Sequence, residues 1–97
     1  LGQEVLGSKE KQSSIYLKAY PMKSIDELAK IKEDLRNHSI VILRITPLAQ
    51  RSIDELKKAV EELYEYAEGM GGDIARLGEE RIVITPPSVK IWRSISQ

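Results

Sequence analysis

The sequence predicts an α/β fold: a small two-layer sandwich in the order β-α-β-α-β-β, with two helices on one face of a four- or five-stranded mixed sheet. Three observations predict it. Two segments carry apolar residues at spacings of three and four behind the same Ser-Ile-Asp-Glu-Leu start, at Ser24 and again at Ser52, which is the pattern of two amphipathic helices. Short runs rich in isoleucine, valine and leucine stand before, between and after these segments at strand length. Glycines and prolines fall at the joints.

Residues 1–14 are Gly, Ser, Gln, Lys and Glu with few aliphatics, a composition that buries too little to order itself, so a flexible linker or tail is expected there. The first residue is Leu1, and further residues are expected upstream. Residues 15–97 then form one domain. Ile15, Leu17 and Ala19 alternate with Tyr16, Lys18 and Tyr20, the period of a strand, which Pro21 ends. Ser24 and Glu27 form a capping box: the serine hydroxyl accepts from the amide of Glu27, and the glutamate reaches back to the amide of Ser24. The helix they open buries Ile25, Leu28, Ile31 and Leu35 and closes at Asn37-His38.

Residues 40–45 are nearly continuous apolar sequence, as in a strand covered on both faces, and Pro47 terminates it. The second box, Ser52 to Glu55, opens a longer helix with Ile53, Leu56, Val60, Leu63, Ala67 and Met70 along one seam. Gly69, Gly71 and Gly72 offer left-handed positions to stop it. Residues 73–77 and 81–85 read as two strands joined by a hairpin turn at Gly78-Glu79-Glu80, and residues 89–93 as a last short strand after the Pro86-Pro87 corner.

At 97 residues such a domain buries only about 60–65% of the surface its unfolded chain exposes. It has no cysteine and one histidine, so disulfide or zinc support is not expected and association with a second chain is. Fifteen basic and fifteen acidic residues are interspersed, which gives no electrostatic footprint for nucleic acid. No apolar run reaches membrane-span length.

With both helices on one face, the other face of the sheet has no covering element. Yet Ile42 sits in a strand that is apolar on both faces, and Val83 repeats that pattern in residues 82–84. An uncovered apolar face of this kind marks an interface, and a homodimer packed through its sheets is expected.

No catalytic constellation is visible, so an enzyme is not expected, nor is a cofactor or metal site. His38 stands alone at a helix end, where a capping or surface role suits it. The carboxylates of Asp26-Glu27, Asp54-Glu55, Glu61-Glu62, Glu65 and Glu68 fall in caps or on solvated helix faces. Gly71-Gly72-Asp73 precedes a strand and not a helix, so it lacks the amide cluster of a phosphate loop. These glycines instead suit a tight turn and a close backbone approach, within the chain or to a second subunit. Trp92, Tyr64 and Tyr66 are equally compatible with an interface and with filling a core that has no phenylalanine.

The ordered series Gly-Gly-Asp-Ile-x-x-x-Gly from Gly71 to Gly78, a short apolar strand, then Thr85-Pro86-x-x-Val89, resembles the C-terminal half of the SepF cell-division family. The likeness extends upstream through residues 40–45 with Thr46-Pro47-Leu48 and covers roughly residues 15–93. The Pro86-Pro87-x-Val89-x-Ile91-Trp92 ending looks more like archaeal than bacterial members. The resemblance implies a cytoplasmic adaptor at the inner face of the cell membrane at the division site. It would dimerise, build higher assemblies and bind the C-terminal tail of the tubulin-like GTPase FtsZ, with a membrane-targeting N-terminal helix that is not recognisable in this chain. It also associates a glycine of the motif with self-assembly, which falls here on Gly71 or Gly72; Gly72→Lys is then expected to weaken assembly with the fold intact.

On that reading the tail docks apolar side chains near the second helix and the hairpin, with Tyr64, Ile74, Arg76 and Ile82 as contacts and Arg76 facing an acidic group. The alternative is a regulatory α/β module that binds a small molecule at a dimer seam, which fold analogy alone supports.

Overall fold

Residues 14–94 are described by the structure, a computed structural model. The linker expected over residues 1–14 therefore lies, apart from Ser14, outside the described residues. Strand β1 (Tyr16–Pro21) leads through a 3-10 turn (Ile25–Glu27) into helix α1 (Leu28–Arg36) and strand β2 (Ser39–Arg44). Helices α2 (Thr46–Arg51) and α3 (Ile53–Met70) follow, then strands β3 (Asp73–Leu77) and β4 (Arg81–Thr85). The sheet has the order β1-β2-β4-β3, with β1 parallel to β2 and β4 antiparallel to both its neighbours.

The register decides which face each strand residue takes. Val41, Leu43, Ile82 and Ile84 point into the helix layer and are buried against Ile31, Leu35, Leu48 and Leu63. Ile42 and Val83, directly opposed across β2 and β4, take the other face and are half-buried. The two-layer mixed sandwich predicted from the sequence is the observed fold, and β2 is apolar on both faces although helix covers only one of them, not both as its sequence suggested.

Five local expectations are corrected. Pro47 does not simply end β2: it stands in the first turn of α2, where its missing N–H costs nothing, and Ala49 N donates to Ile45 O at 3.0 Å to start that helix. Residues 89–93 form no strand. They are held as a strap by the Asp73 carboxylate, which accepts from Ile91 N at 3.0 Å and from Arg93.

The first capping box is also displaced: Ser24 Oγ accepts from Asp26 N and the Glu27 carboxylate from Lys23 N, since the chain enters through a 3-10 turn. The second box keeps only its serine arm, Ser52 Oγ accepting from Glu55 N at 3.1 Å. The amide of Ser52 is already bonded to Leu48 O because α2 abuts it.

Finally, Gly72 is not free to take a side chain. A Cβ there would run into the carbonyl oxygen of Thr85 in the same chain and lie 3.2 Å from the carbonyl carbon of Thr85. The expectation that Gly72→Lys leaves the fold intact is overturned. The two glycines close α3 in a Schellman motif, with Gly71 at φ 81° and Gly72 N donating to Ala67 O at 2.9 Å.

One polar cluster fixes β1 against α1. Asp34 accepts from Tyr20 Oη at 2.6 Å, Lys18 Nζ at 2.9 Å and Lys30 Nζ at 3.2 Å, and Lys30 also lies 4.4 Å from the centre of the Tyr20 ring. Burial alone would raise the Asp34 pKa, but the hydrogen bonds from Tyr20, Lys18 and Lys30 outweigh it and hold it at about 2, below its ordinary 3.8. Burial, and then the bond to Asp34, pushes the Tyr20 hydroxyl up.

Because the Asp34 pKa is lower in the folded state, its contribution to stability is complete above about pH 4 and is lost as the pH falls toward 2. Asp34→Asn is expected to flatten this acid branch in thermal melts between pH 5 and pH 2; an unaltered branch would remove Asp34 from the account.

Ser39 Oγ is the one buried side-chain oxygen among the described residues that has no hydrogen-bond partner. A buried hydroxyl left unbonded costs about 1 kcal/mol or more. Ser39→Ala is accordingly expected to stabilise the domain by about 1 kcal/mol in urea titration, and a loss of that size would contradict the assignment.

Candidate functional site

The helix seam read from the sequence splits in two when α3 docks. Leu63 and Ala67 of that seam, with Ala59 beside them, are fully buried in the core, whereas Leu56 and Val60 pack at its edge and stay partly exposed. Across from them stand Ile82 of β4, Arg76 of β3 and Ile45 at the end of β2. Between the two walls runs an open groove of about 680 Å³, within the size range of ligand and peptide sites.

The groove has an apolar floor and a charged rim. Ile45, Leu56, Val60 and Ile82 form the floor, Tyr64 stands 53% exposed on the helix wall, and Lys57, Glu61 and Arg76 complete the lining. Arg76 is held in place by its own hairpin: Nε donates to Gly78 O at 3.3 Å and Nη2 to Glu79 O at 3.0 Å, with Gly78 at φ 78° allowing the turn. The turn is fastened to the opposite wall as well, since Ile45 N donates to Glu80 O at 2.8 Å. Such a site can grip an apolar side chain and an attached acidic group.

Of the four contacts expected from the sequence, Tyr64, Arg76 and Ile82 line this groove together. Ile74 does not: it lies opposite Ile84, packed on the core. Sequence reasoning missed Ile45, Leu56, Lys57, Val60 and Glu61. Leu56 and Val60 fall within the strict three-four seam of the helix, so nothing local set them apart from its buried members.

Of the residues expected in self-association, Ile42 and Val83 are neighbours on the helix-free face. Gly71 is exposed with open space around its Cα, while Gly72 is buried against Thr85. Neither Tyr64 nor Trp92 fills the core; Trp92 is 86% exposed. Among the described residues no group of three or more His, Cys, Asp or Glu side chains could hold a metal ion, and no helix is long and apolar enough to cross a membrane.

Comparison with known proteins bears on residues 18–91, which match the family model described as Cell division protein SepF. A cell division protein SepF from Halalkalibacterium halodurans is 25% identical over 95 residues, covering 98% of this chain and 61% of that protein. The chain thus spans about three-fifths of its curated relative.

Among solved structures, a SepF-like protein from Archaeoglobus fulgidus superposes with a TM-score of 0.76 at 26% identity, covering 84% of this chain and 98% of the other. A SepF-like protein from Pyrococcus furiosus gives 0.74 at 29% identity, covering 82% and 96%. Cell division protein SepF from Methanobrevibacter smithii, in complex with FtsZ-CTD, gives 0.72 at 21% identity, covering 81% and 99%; at that identity the likeness speaks to the fold.

Proposed function

The chain belongs to the SepF family of cell-division proteins, and from that premise we propose that it is an adaptor that dimerises, binds the C-terminal tail of FtsZ and links division filaments to the inner face of the membrane. The observation that carries this reading is the groove between α3 and the β3–β4 hairpin, with its apolar floor and the Lys57 and Arg76 cations on its rim. An extended or turned peptide seats one or two apolar side chains on Ile45, Leu56 and Val60 and sets a carboxylate against Arg76. The complex of the Methanobrevibacter smithii relative with FtsZ-CTD supports the choice of peptide.

Binding one tail weakly is enough if the adaptor is a dimer, because a filament displays many tails and a second site then engages at high effective concentration. The dimer surface is the helix-free face of the sheet, where Ile40, Ile42 and Val83 are only half-buried and Leu17 is 65% exposed. Gly71, exposed at the end of α3, is assigned to contacts between dimers, and the membrane tether to an N-terminal amphipathic segment outside residues 14–94.

The test is titration of the domain into a labelled FtsZ tail peptide, followed by fluorescence anisotropy, with sedimentation of the same sample. Saturable binding that a scrambled peptide loses is the expected result. A folded dimer that binds neither peptide would sink the adaptor reading.

A further inference from the structure

Arg44 and Arg81 are direct cross-strand partners at one end of the sheet, where β1 and β2 stop and β4 starts. Both are exposed, and Arg44 shares with Ile42 the side of β2 that faces away from the helices. Side chains opposed in this way stand about 5 Å apart at their Cβ atoms, and two cations so placed repel each other.

No carboxylate among the described residues offsets that repulsion. The ion pairs there join Lys18 and Lys30 to Asp34, Lys32 to Glu62 and Arg93 to Asp73, and they include neither arginine. Glu79 and Glu80 directly precede Arg81 in the chain, yet neither pairs with it. Elsewhere the arginines Arg36 and Arg76 are engaged, the first with the Tyr66 hydroxyl and the second with the carbonyls of Gly78 and Glu79. Arg44 donates from Nη1 to Thr46 Oγ1 at 3.1 Å, a bond that orients its guanidinium and uses only one of its N–H donors.

Both arginines line one cavity of about 210 Å³, together with Ala19, Tyr20, Pro21 and Ile42. That is less than the roughly 300–1,000 Å³ of an ordinary organic ligand site, and it suits a small anion with the first atoms of whatever carries it. Apolar residues beside the guanidiniums keep water from screening them fully, which strengthens their hold on a negative charge.

We infer that Arg44 and Arg81 form an oxyanion site whose ligand is a phosphate dianion, free or as a monoester. Two guanidiniums supply two positive charges and planar sets of N–H donors, which match the charge and the several acceptor oxygens of phosphate. A carboxylate, with a single charge, would leave one of the two cations unanswered. Binding removes the repulsion between the arginines, so what is unfavourable in the empty strand pair favours the ligand. One chain supplies the whole site, so it stands apart from the dimer proposed above. It shares no residue with the groove beside α3.

The probe is inorganic phosphate, titrated calorimetrically into the full chain with sodium chloride adjusted to constant ionic strength. Wild type is compared with Arg44→Gln, Arg81→Gln and, as a control of equal charge change, Arg51→Gln at the exposed end of α2. Saturable binding is expected, weakened about 10-fold or more by either Arg44→Gln or Arg81→Gln and unaltered by Arg51→Gln. Thermal melts in chloride report folding; neither cavity variant is expected to melt earlier, because removing one cation relieves the other.

Vesicles of phosphatidylcholine with and without phosphatidic acid separate the two sources of the phosphate group. Pelleting with phosphatidic acid that Arg44→Gln and Arg81→Gln abolish, and Arg51→Gln keeps, assigns the site to a lipid headgroup. Binding of free phosphate without pelleting assigns it to a soluble ligand. No saturable binding in either arm, or an equal loss in all three variants, overturns the site.

Discussion

Tyr64→Ala is expected to weaken binding of an FtsZ tail peptide about 30-fold, a loss of ~2 kcal/mol, while moving the thermal midpoint by no more than about 4 °C. The separation of the two effects follows from where the ring is. Tyr64 projects from α3 with 53% of its surface exposed, so its removal takes little from the core, which is closed at this level by Leu63 on the adjoining face of the helix. In the groove the same ring is the largest wall beside Val60 and opposite Arg76. A bulky amphipathic side chain with few torsions is the kind of residue that dominates a small interface. Anisotropy titration with Tyr64→Ala, beside Glu65→Ala as a neighbour outside the groove, makes the measurement specific. Equal affinities for both variants would move the peptide site elsewhere.

Gly72→Ala is expected to destabilise the domain by about 3 kcal/mol, lowering the thermal midpoint by about 12–24 °C. Here the cause is backbone against backbone. The Cα of Gly72 faces the carbonyl oxygen of Thr85, with Pro86 O also 3.3 Å from the position a Cβ would take, and neither group can rotate away as a side chain could. The region cannot yield easily either, because Thr85 Oγ1 bonds Asp73 N at 2.8 Å and Val89 O at 2.6 Å. Gly71→Ala is the control. Gly71 has open space around it and only a left-handed backbone to satisfy, which costs an alanine about 1–2 kcal/mol. Equal losses at the two positions would mean that the close approach is not what Gly72 provides.

These two glycines mark the limit of what the sequence discloses. Adjacent glycines after a long apolar seam announce a helix end, and they stand there. Which of them tolerates a side chain depends on Thr85, brought in from beyond the hairpin, and no local pattern contains that distance. Pro47 marks the limit in another way. Proline stops a strand and starts a helix equally well, and the six-residue helix α2 was invisible because Thr46–Arg51 is too short for a helical period to register. For the groove, Tyr64, Arg76 and Ile82 could be named because an aromatic and a cation near an apolar hairpin are unusual surface choices. Leu56 and Val60 were read as core, since a seam residue looks the same whether the surface it meets is a sheet or solvent.

The sequence by itself determined the period of each element, the boundaries set by Ser52, Gly71 and Gly78, and the excess of apolar residues in β2 and β4 over what one covered face requires. Tertiary structure alone decided that Ala59 and Leu63 are fully buried while Leu56 and Val60 stay partly exposed, that Asp34 gathers Lys18, Lys30 and Tyr20, and that Arg44 stands beside Arg81. The physical reason is range. Periodicity, capping and backbone preference act over one or two turns of chain, whereas a groove, a buried ion cluster and a cross-strand pair are made by residues distant in sequence whose meeting is fixed by strand register and helix docking.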